Sequence, residues 1–251
     1  MPHKSDRKVA LVTGATSGIG KATAIAFARD GYNVVVNGRD EKRGASVVQE
    51  ITSAGSQAIW IPADVTDESA VESMVTQILN IFGRLDCAFN NAGSGGRGGN
   101  IADLTIDDFN QTIDGYLKSV FLCMKYEIHA MLPQGNGAIV NNSSVDGKRA
   151  FAADPLYSAA KHGVIGLTKS AALQYAPKGI RINAVCPGWV KTPALEQILS
   201  DAESTQKTVS QEPIGRIGKP EEIANAVLWL CSEKASFVVG TAMEVDGGYL
   251  S

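Results

Sequence analysis

Tyr157 and Lys161 stand four residues apart in Tyr157-Ser158-Ala159-Ala160-Lys161, inside a stretch that reads as helical through Gln174. On a helix that spacing puts both side chains on one face, a turn apart. An ammonium beside a phenol favours the phenolate and draws its pKa down from about 10 toward the range of an acid/base catalyst. A carbonyl that accepts hydride gains negative charge on oxygen and must receive a proton, and this pair is suited to supply it. Chance alone also places such pairs on helix surfaces, so the reading depends on what accompanies it.

A second cluster lies near the N-terminus, in Thr13-Gly14-Ala15-Thr16-Ser17-Gly18-Ile19-Gly20. It comes directly after an apolar strand pattern and opens a helical one. Glycines there permit a tight turn, let a pyrophosphate approach the backbone, and let helix pack on strand. The helix start offers free N–H groups to phosphate. Gly14, Thr16, Ser17, Gly18, Ile19 and Gly20 are therefore candidate cofactor contacts. The end of the next strand reads Val36-Asn37-Gly38-Arg39-Asp40. An acidic residue at that strand end would hold the adenosine ribose and repel a 2′-phosphate. Gly38 offers no carboxylate, and Arg39 carries a guanidinium suited to phosphate. The charge argument favours NADP(H). The alternative is NAD(H), with Asp40 on the ribose and Arg39 a solvated loop residue.

These residues need a scaffold, and the chain supplies an alternation of short apolar runs with helical patterns. Strands are expected at 9–13, 34–37, 58–62, 87–90, 138–143, 180–185 and 242–245. Ile223, Ala226, Val227, Leu230 and Cys231 recur at helical spacing within 221–231, the mark of one buried face. Strand–helix alternation implies parallel strands joined by helical crossovers. The fold class is α/β, a single Rossmann-type doubly wound domain over residues 1–251 with a mainly parallel sheet of about seven strands and helices on both faces. With 44% hydrophobic and 20% charged residues, the chain has a globular composition rather than a disordered one. A net charge of -3 gives no electrostatic reason to expect nucleic acid or an anionic membrane surface. No apolar run reaches the roughly 20 residues of a spanning helix, and residues 1–8 lack a secretory pattern. Cys87, Cys123, Cys186 and Cys231 lack metal-like spacing and read as buried hydrophobes, with no metal expected and a cytoplasmic location.

Taken in order along the chain, these features resemble the short-chain dehydrogenase/reductase family. The Gly14/Gly18/Gly20 turn is similar to that family's cofactor motif, and Asn90-Asn91-Ala92-Gly93 to its fourth-strand motif. Ser144, thirteen residues before Tyr157, stands where the family has a substrate-orienting serine, with Ser143 as the competitor beside it. Asp64, next to Val65, fits the adenine-contacting aspartate. Pro187-Gly188-Trp189-Val190-Lys191-Thr192 resembles the segment whose Val190 backbone and Thr192 hydroxyl hold the nicotinamide carboxamide. Asp246-Gly247-Gly248 resembles the closing motif. The resemblance implies an oxidoreductase acting on an alcohol or carbonyl of a small organic molecule. Tyr157 would be its general acid/base, Lys161 would hold the nicotinamide ribose, and Ser144 would position the reacting oxygen. It also implies cofactor contacts at Asn91, Ala92, Gly93, Pro187 and Gly188, and a homo-oligomer, specifically a tetramer. Ala159, Ala160, Gly163 and Gly166 would allow close approach to the helix involved. His162, one residue round from Lys161, faces elsewhere and reads as structural.

One segment departs from the pattern. Where the family carries a catalytic asparagine, in a stretch resembling D-x-N-L-x-G-x-F, this chain reads Asp114-Gly115-Tyr116-Leu117-Lys118-Ser119-Val120-Phe121. Phe109, Ile113, Tyr116 and Val120 recur at helical spacing, so Tyr116 is expected on an inward stripe. Gly115 inside a helix costs about 1 kcal/mol against Ala and hints at local distortion. Tyr116 either keeps the family's relay water, fills its space and slows proton exchange, or marks a low-turnover cofactor-binding sensor. Substrate choice is expected from three segments: 94–99 as a mobile glycine loop, 148–155, and 193–213 as a lid. Arg97 reads as a solvated charge on the first.

Overall fold

The computed structural model describes residues 6–199 and 201–251. Residues 1–5 of the N-terminal stretch, and residue 200 of the expected lid, lie outside the described residues. Among the described residues seven strands form one parallel sheet: β1 (Val9–Val12), β2 (Asn33–Gly38), β3 (Ala58–Pro62), β4 (Cys87–Asn90), β5 (Gly137–Asn142), β6 (Ile180–Pro187) and β7 (Ala242–Val245). The order is β3-β2-β1-β4-β5-β6-β7. Helices α1 (Gly18–Arg29), α2 (Glu41–Ser53) and α3 (Glu68–Phe82) come after the first three strands in turn. α4 (Ile106–Ile113) and α5 (Ser119–Met131) lie between β4 and β5, and α6 (Pro155–Tyr175) between β5 and β6. α7 (Pro193–Ile198), α8 (Ala202–Ser210) and α9 (Pro220–Cys231) precede β7. No helix among the described residues is long and apolar enough to cross a membrane.

Alternation along each strand divides the core into two layers. Val9 and Leu11 face one side with Met74, Ile78, Ile128, Met131 and Val164, from α3, α5 and α6. Ala10 and Val12 face the other with Phe27, Ile51, Ile223, Val227 and Leu230, from α1, α2 and α9. Both faces of the sheet are thus covered, which is why its strands read as near-continuous apolar runs. The order reverses at β1/β4, where the two crossovers leave the sheet on opposite sides and open a crevice beyond the strand ends.

The expected strands all form, with ends shifted by a residue or two. The larger difference is between α4 and α5. These two helices are not one regular helix: Asp114–Lys118 make a turn of π-helix between them. The extra residue in that turn shifts the phase of the buried face. Phe109 is 44% exposed, whereas Thr112 and Ser119 are buried, so the expected inward stripe fails at Phe109 while Val120 is buried and Tyr116 packs inward on Tyr157. The distortion hinted at by Gly115 has a steric cause. Its α-carbon packs so closely on Ser94 that a β-carbon would overlap the Ser94 carbonyl oxygen.

Candidate functional site

β1 and β4 end side by side, and the loops beyond their ends enclose a cavity of about 840 Å³. Gly14, Thr16, Ser17, Gly18 and Ile19 line it from the first turn, Arg39, Asp64 and Val65 from the ends of β2 and β3, and Asn91, Ala92 and Gly93 from the end of β4. Thr192 closes another side. Gly20 lies just behind the turn, where a β-carbon would overlap the Gly14 carbonyl oxygen. Gly14 has φ of +61° and would carry a β-carbon only 2.9 Å from Ala92 Cα. The floor of the cavity is therefore backbone. Ser17 precedes α1 in an extended conformation and makes no side-chain cap, so the first N–H groups of α1 are left to the cavity. An elongated bis-phosphate molecule fits this arrangement: open helix N-terminus, glycine floor and the arginines Arg39 and Arg43 on the rim.

The rim carries both Arg39 and Asp40. Asp40 caps α2, accepting from Arg43 N at 3.0 Å and from Arg43 Nε at 2.8 Å. Both its oxygens are thus engaged within the loop, and this holds its carboxyl below the usual carboxylate range. Arg39 is loosely held, with Nη1 3.9 Å from Asp64 Oδ2 and Nη2 3.4 Å from Ser94 Oγ. The Thr66 backbone N–H and hydroxyl hold Asp64 below the usual range, with Arg39 adding to it. Asp64 is therefore an anion with one oxygen fixed by Thr66.

The 187–192 segment packs over the turn. Val190 pairs with Gly218, and a β-carbon on Gly18 would lie 3.1 Å from Thr192 Cγ2. Pro187 ends β6, while Gly188 packs on Asp246, whose Cα would lie 3.0 Å from a β-carbon there. The Thr192 hydroxyl oxygen caps α7 by accepting from Leu195 N at 3.2 Å, which leaves its hydrogen free to donate. Asp246 accepts from Gly248 N and Leu250 N, so the closing motif folds the C-terminal turn on itself.

Ser144, Tyr157 and Lys161 do not line this cavity; they gather beside it, with Tyr116 between Gly93 and Tyr157. Asp154 caps α6 by accepting from Tyr157 N at 3.0 Å, and Pro155 takes the first helical position. This starts α6 where its first turn presents Tyr157. The Ser144 hydroxyl sits near enough to the Tyr157 phenol to favour its ionised form, and it accepts from Asp146 N at 3.1 Å. Ser143 is turned away, donating to the Lys161 carbonyl at 2.9 Å. Lys161 Nζ lies 5.5 Å from the Tyr157 ring centroid and donates to the Asn142 carbonyl at 2.7 Å. Asn142 Nδ2 in turn donates to Asn91 Oδ1 at 3.0 Å, and Asn91 Nδ2 to the Gly14 carbonyl at 3.2 Å. One chain of polar groups therefore joins Lys161 to the cavity floor. No motif points to Asn142 or Asp154. Their only signals in the sequence are polar residues ending an apolar strand and an Asp-Pro pair opening a helix.

Burial reverses one expectation. The spacing argument has Lys161 drawing the Tyr157 phenol down, yet the phenol is pushed well up. Burial is the leading cause, the Tyr116, Asp146 and Asp154 side chains add to it, and Ser144 opposes it. Burial also brings Lys161 down to about 8. Each group is driven toward its neutral form because desolvation outweighs their mutual attraction.

Three further segments can be placed. The 94–99 loop is exposed but touches α4 and the 148–155 segment: β-carbons on Gly95, Gly96 and Gly98 would strike Gln111, Thr112 and Ala153, and Gly99 N donates to the Ala153 carbonyl at 2.9 Å. Arg97 on this loop donates to the Asp103 carbonyl at 2.9 Å and lies 3.4 Å from Asp108. His162 places Nδ1 2.8 Å from the Ser158 carbonyl one turn back.

The comparisons with known proteins agree with this geometry. A family model described as enoyl-(acyl carrier protein) reductase matches residues 14–250. The chain belongs to the short-chain dehydrogenase/reductase family. It is 45% identical to cyclohexanol dehydrogenase of Acinetobacter sp. (strain SE19), over 100% of this chain and 98% of that protein. It is 43% identical to cis-4-hydroxycyclohexanecarboxylate dehydrogenase of Sinomonas cyclohexanicum, over 96% of each. The solved structure of ElxO with NADP bound superposes with a TM-score of 0.92 at 36% identity, over 97% of this chain and 99% of that one. The protein is thus an oxidoreductase of CH–OH and C=O groups that uses a nicotinamide cofactor.

Proposed function

We propose that this enzyme interconverts cyclic secondary alcohols and the corresponding ketones with NADP(H), using Tyr157 as general acid/base. The observation that carries the reading is the meeting of three groups beside the cavity, past Gly93 and Tyr116. They are the Tyr157 phenol, the Ser144 hydroxyl near it, and Lys161, tied through Asn142 and Asn91 to the turn below. The cyclic substrate class is drawn from the relatives that act on cyclohexanol and on a hydroxycyclohexane carboxylate. NADP(H) is favoured because Asp40 is engaged with Arg43 while Arg39 stays loosely held on the rim.

In this reading Gly14, Thr16, Ser17, Gly18, Ile19 and Gly20 seat the pyrophosphate and Asp64 and Val65 flank the adenine. Arg39 meets the 2′-phosphate. Asn91, Ala92 and Gly93 border the ribose, and Pro187, Gly188, Val190 and Thr192 hold the carboxamide. The cofactor supplies or accepts the hydride. In reduction Tyr157 gives its phenolic proton to the carbonyl oxygen, and Ser144 donates a hydrogen bond to the same oxygen. In oxidation Tyr157 takes the alcohol proton. Its raised phenol makes reduction the direction favoured near neutral pH, with oxidation rising as the medium becomes alkaline. The tetramer implied by resemblance belongs to this reading too. Gly163 and Ala160 are occupied within the chain, while Ala159, Gly166 and Leu173 stay exposed on α6.

The test is NADPH and NADH oxidation over a panel of cyclohexanones, cyclic diketones and open-chain ketones. Cyclic ketones with NADPH are expected to turn over fastest. Tight cofactor binding with no turnover of any ketone or alcohol would favour a sensor instead, and a preference for open-chain substrates would remove the cyclic class.

A further inference from the structure

Tyr116 shows its ring and its hydroxyl to different neighbours. The ring stands edge-on against Tyr157, with centroids 5.0 Å apart and planes at 87°. Lys161 Nζ lies 5.0 Å from its centroid. Gly93 lies directly against it, since a β-carbon at Gly93 would be 2.7 Å from Tyr116 Cδ1. The ring is thereby fixed between the inner end of the cofactor cavity and the reacting phenol. The π-turn is what sets it there, because Gly115 is drawn against Ser94 and the next residue is swung toward α6.

The hydroxyl, in contrast, is bound to no protein group among the described residues. It is also not one of the sealed polar atoms of the interior, so part of its surface stays open. Other tyrosines are used differently: Tyr126 bonds Glu68 and Tyr249 bonds Arg149. Burial keeps the Tyr116 phenol protonated, and the charge of Asp154, at the base of the 148–155 segment, adds to it. A protonated, unpaired phenol beside an acid/base tyrosine is a hydrogen-bond donor waiting for an acceptor.

We propose that Tyr116 is a specificity-determining residue whose ring forms a wall for an alicyclic substrate and whose hydroxyl bonds a second oxygen on that ring. The favoured substrates are then cyclic alcohols or ketones that carry another hydroxyl, carbonyl or carboxylate. This rests on the reading of the protein as a cyclic-alcohol dehydrogenase and narrows it. A chain that merely plugs a gap with Tyr116 has no reason to discriminate between mono- and dioxygenated rings. A donor aimed at substrate does, because its bond is made with one and not the other.

The test compares wild type, Tyr116→Phe and Tyr116→Leu on cyclohexanol and on the 1,2-, 1,3- and 1,4-cyclohexanediols, with NADPH affinity measured separately. Wild type is expected to favour at least one diol over cyclohexanol. Tyr116→Phe, which keeps the ring, is expected to lower the diol-to-cyclohexanol ratio of kcat/KM by about fivefold to tenfold, mostly through KM. Tyr116→Leu is expected to lose the same ratio and to raise KM for cyclohexanol as well. Damage to Tyr157 alone would lower kcat for all four alcohols together and leave the ratio where it was, which would overturn the proposal. Wild-type turnover of cyclohexanol with no diol preference would also overturn it, while leaving the proposed function standing. Turnover of no cyclic alcohol or ketone would remove both.

Discussion

Asn90 and Asn91 are neighbours on one strand end, yet they belong to two polar networks with opposite fates. Asn90 points toward α5 and α6, where its Nδ2 donates to Glu127 at 2.9 Å and to Asn141 at 3.0 Å, and Asn141 donates on to Thr168. Asn91 points the other way, to Gly14 and Asn142 and so to Lys161. The same split recurs on β5 at Asn141 and Asn142, because successive residues of a strand face opposite sides. The first network is closed within protein, while the second ends at a cavity. Each contains one buried ionisable group moved to about 8 by desolvation, from opposite directions: Glu127 upward and Lys161 downward. The closed network must meet its charge problem with a proton, since nothing else reaches it. The open one can meet it with a ligand.

The largest expected effect lies in the open network. Tyr157→Phe removes the proton donor and acceptor while leaving the ring against Tyr116 and the cavity floor intact. Turnover should fall by about 10²–10⁴-fold, the usual worth of a general acid/base step. NADPH affinity, read by fluorescence titration, should stay within a factor of a few. Full activity in Tyr157→Phe would transfer the acid/base role elsewhere and dissolve the contrast between the two networks.

The two networks are also unequally legible in the sequence. The glycine turn, Arg39, the strand runs and the Tyr157/Lys161 spacing depend on neighbours in sequence, and the structure brings the turn and Arg39 to one cavity with the Tyr157/Lys161 pair outside its lining. Their environment depends on what packs from far along the chain. Lys161 lowered by burial, Asp40 engaged by Arg43, and the π-turn set by contact with Ser94 all fall in that class. Periodicity misplaces the phase of 109–120 because a period of 3.6 has no place for one extra residue. Glu127 carries no signal in the sequence because an acid in a helix usually faces water, and its burial becomes visible only when α5 meets the sheet.

The closed network offers the next test. Glu127 ordinarily titrates near 4.5, and in the folded protein it does so near 8. Below 4.5 it is protonated in folded and unfolded chains alike, and its contribution to stability is fully present. Between 4.5 and 8 only the unfolded chain ionises, so stability falls as pH rises, by about 1.4 kcal/mol per unit for one such group. Glu127 Oε1 and Asn90 Oδ1 both lack partners, and a protonated Glu127 supplies the donor that such a pair of acceptors needs. Glu127→Gln keeps the size and the bond from Asn90 but cannot ionise. Urea unfolding at about pH 5.5, 6.5 and 7.5 should show a decline in the wild type that is largely flattened in the variant. Parallel declines would mean that Glu127 is ionised in the fold, and the two networks would then differ less than their geometry implies.

The smallest effect belongs to the outermost member of the open network. Arg39 is two-thirds exposed, and its contacts with Asp64 and Ser94 are long. A guanidinium–phosphate bond in such a place is screened, so its worth lies near the low end for bonds to charged groups, about 1.5 kcal/mol. Arg39→Ala should weaken NADPH binding about tenfold and leave NADH binding nearly unchanged. The difference should shrink as salt is raised from about 50 mM toward about 500 mM, because the lost interaction is the screened one. An equal loss for both cofactors would assign Arg39 to holding Asp64 rather than a phosphate, and Asp40 would return as the ribose ligand. A preference for NADPH that survives intact in Arg39→Ala would take the phosphate off Arg39. Arg43, whose guanidinium pairs with Asp40 on the same side of the cavity, would then be the residue that binds it.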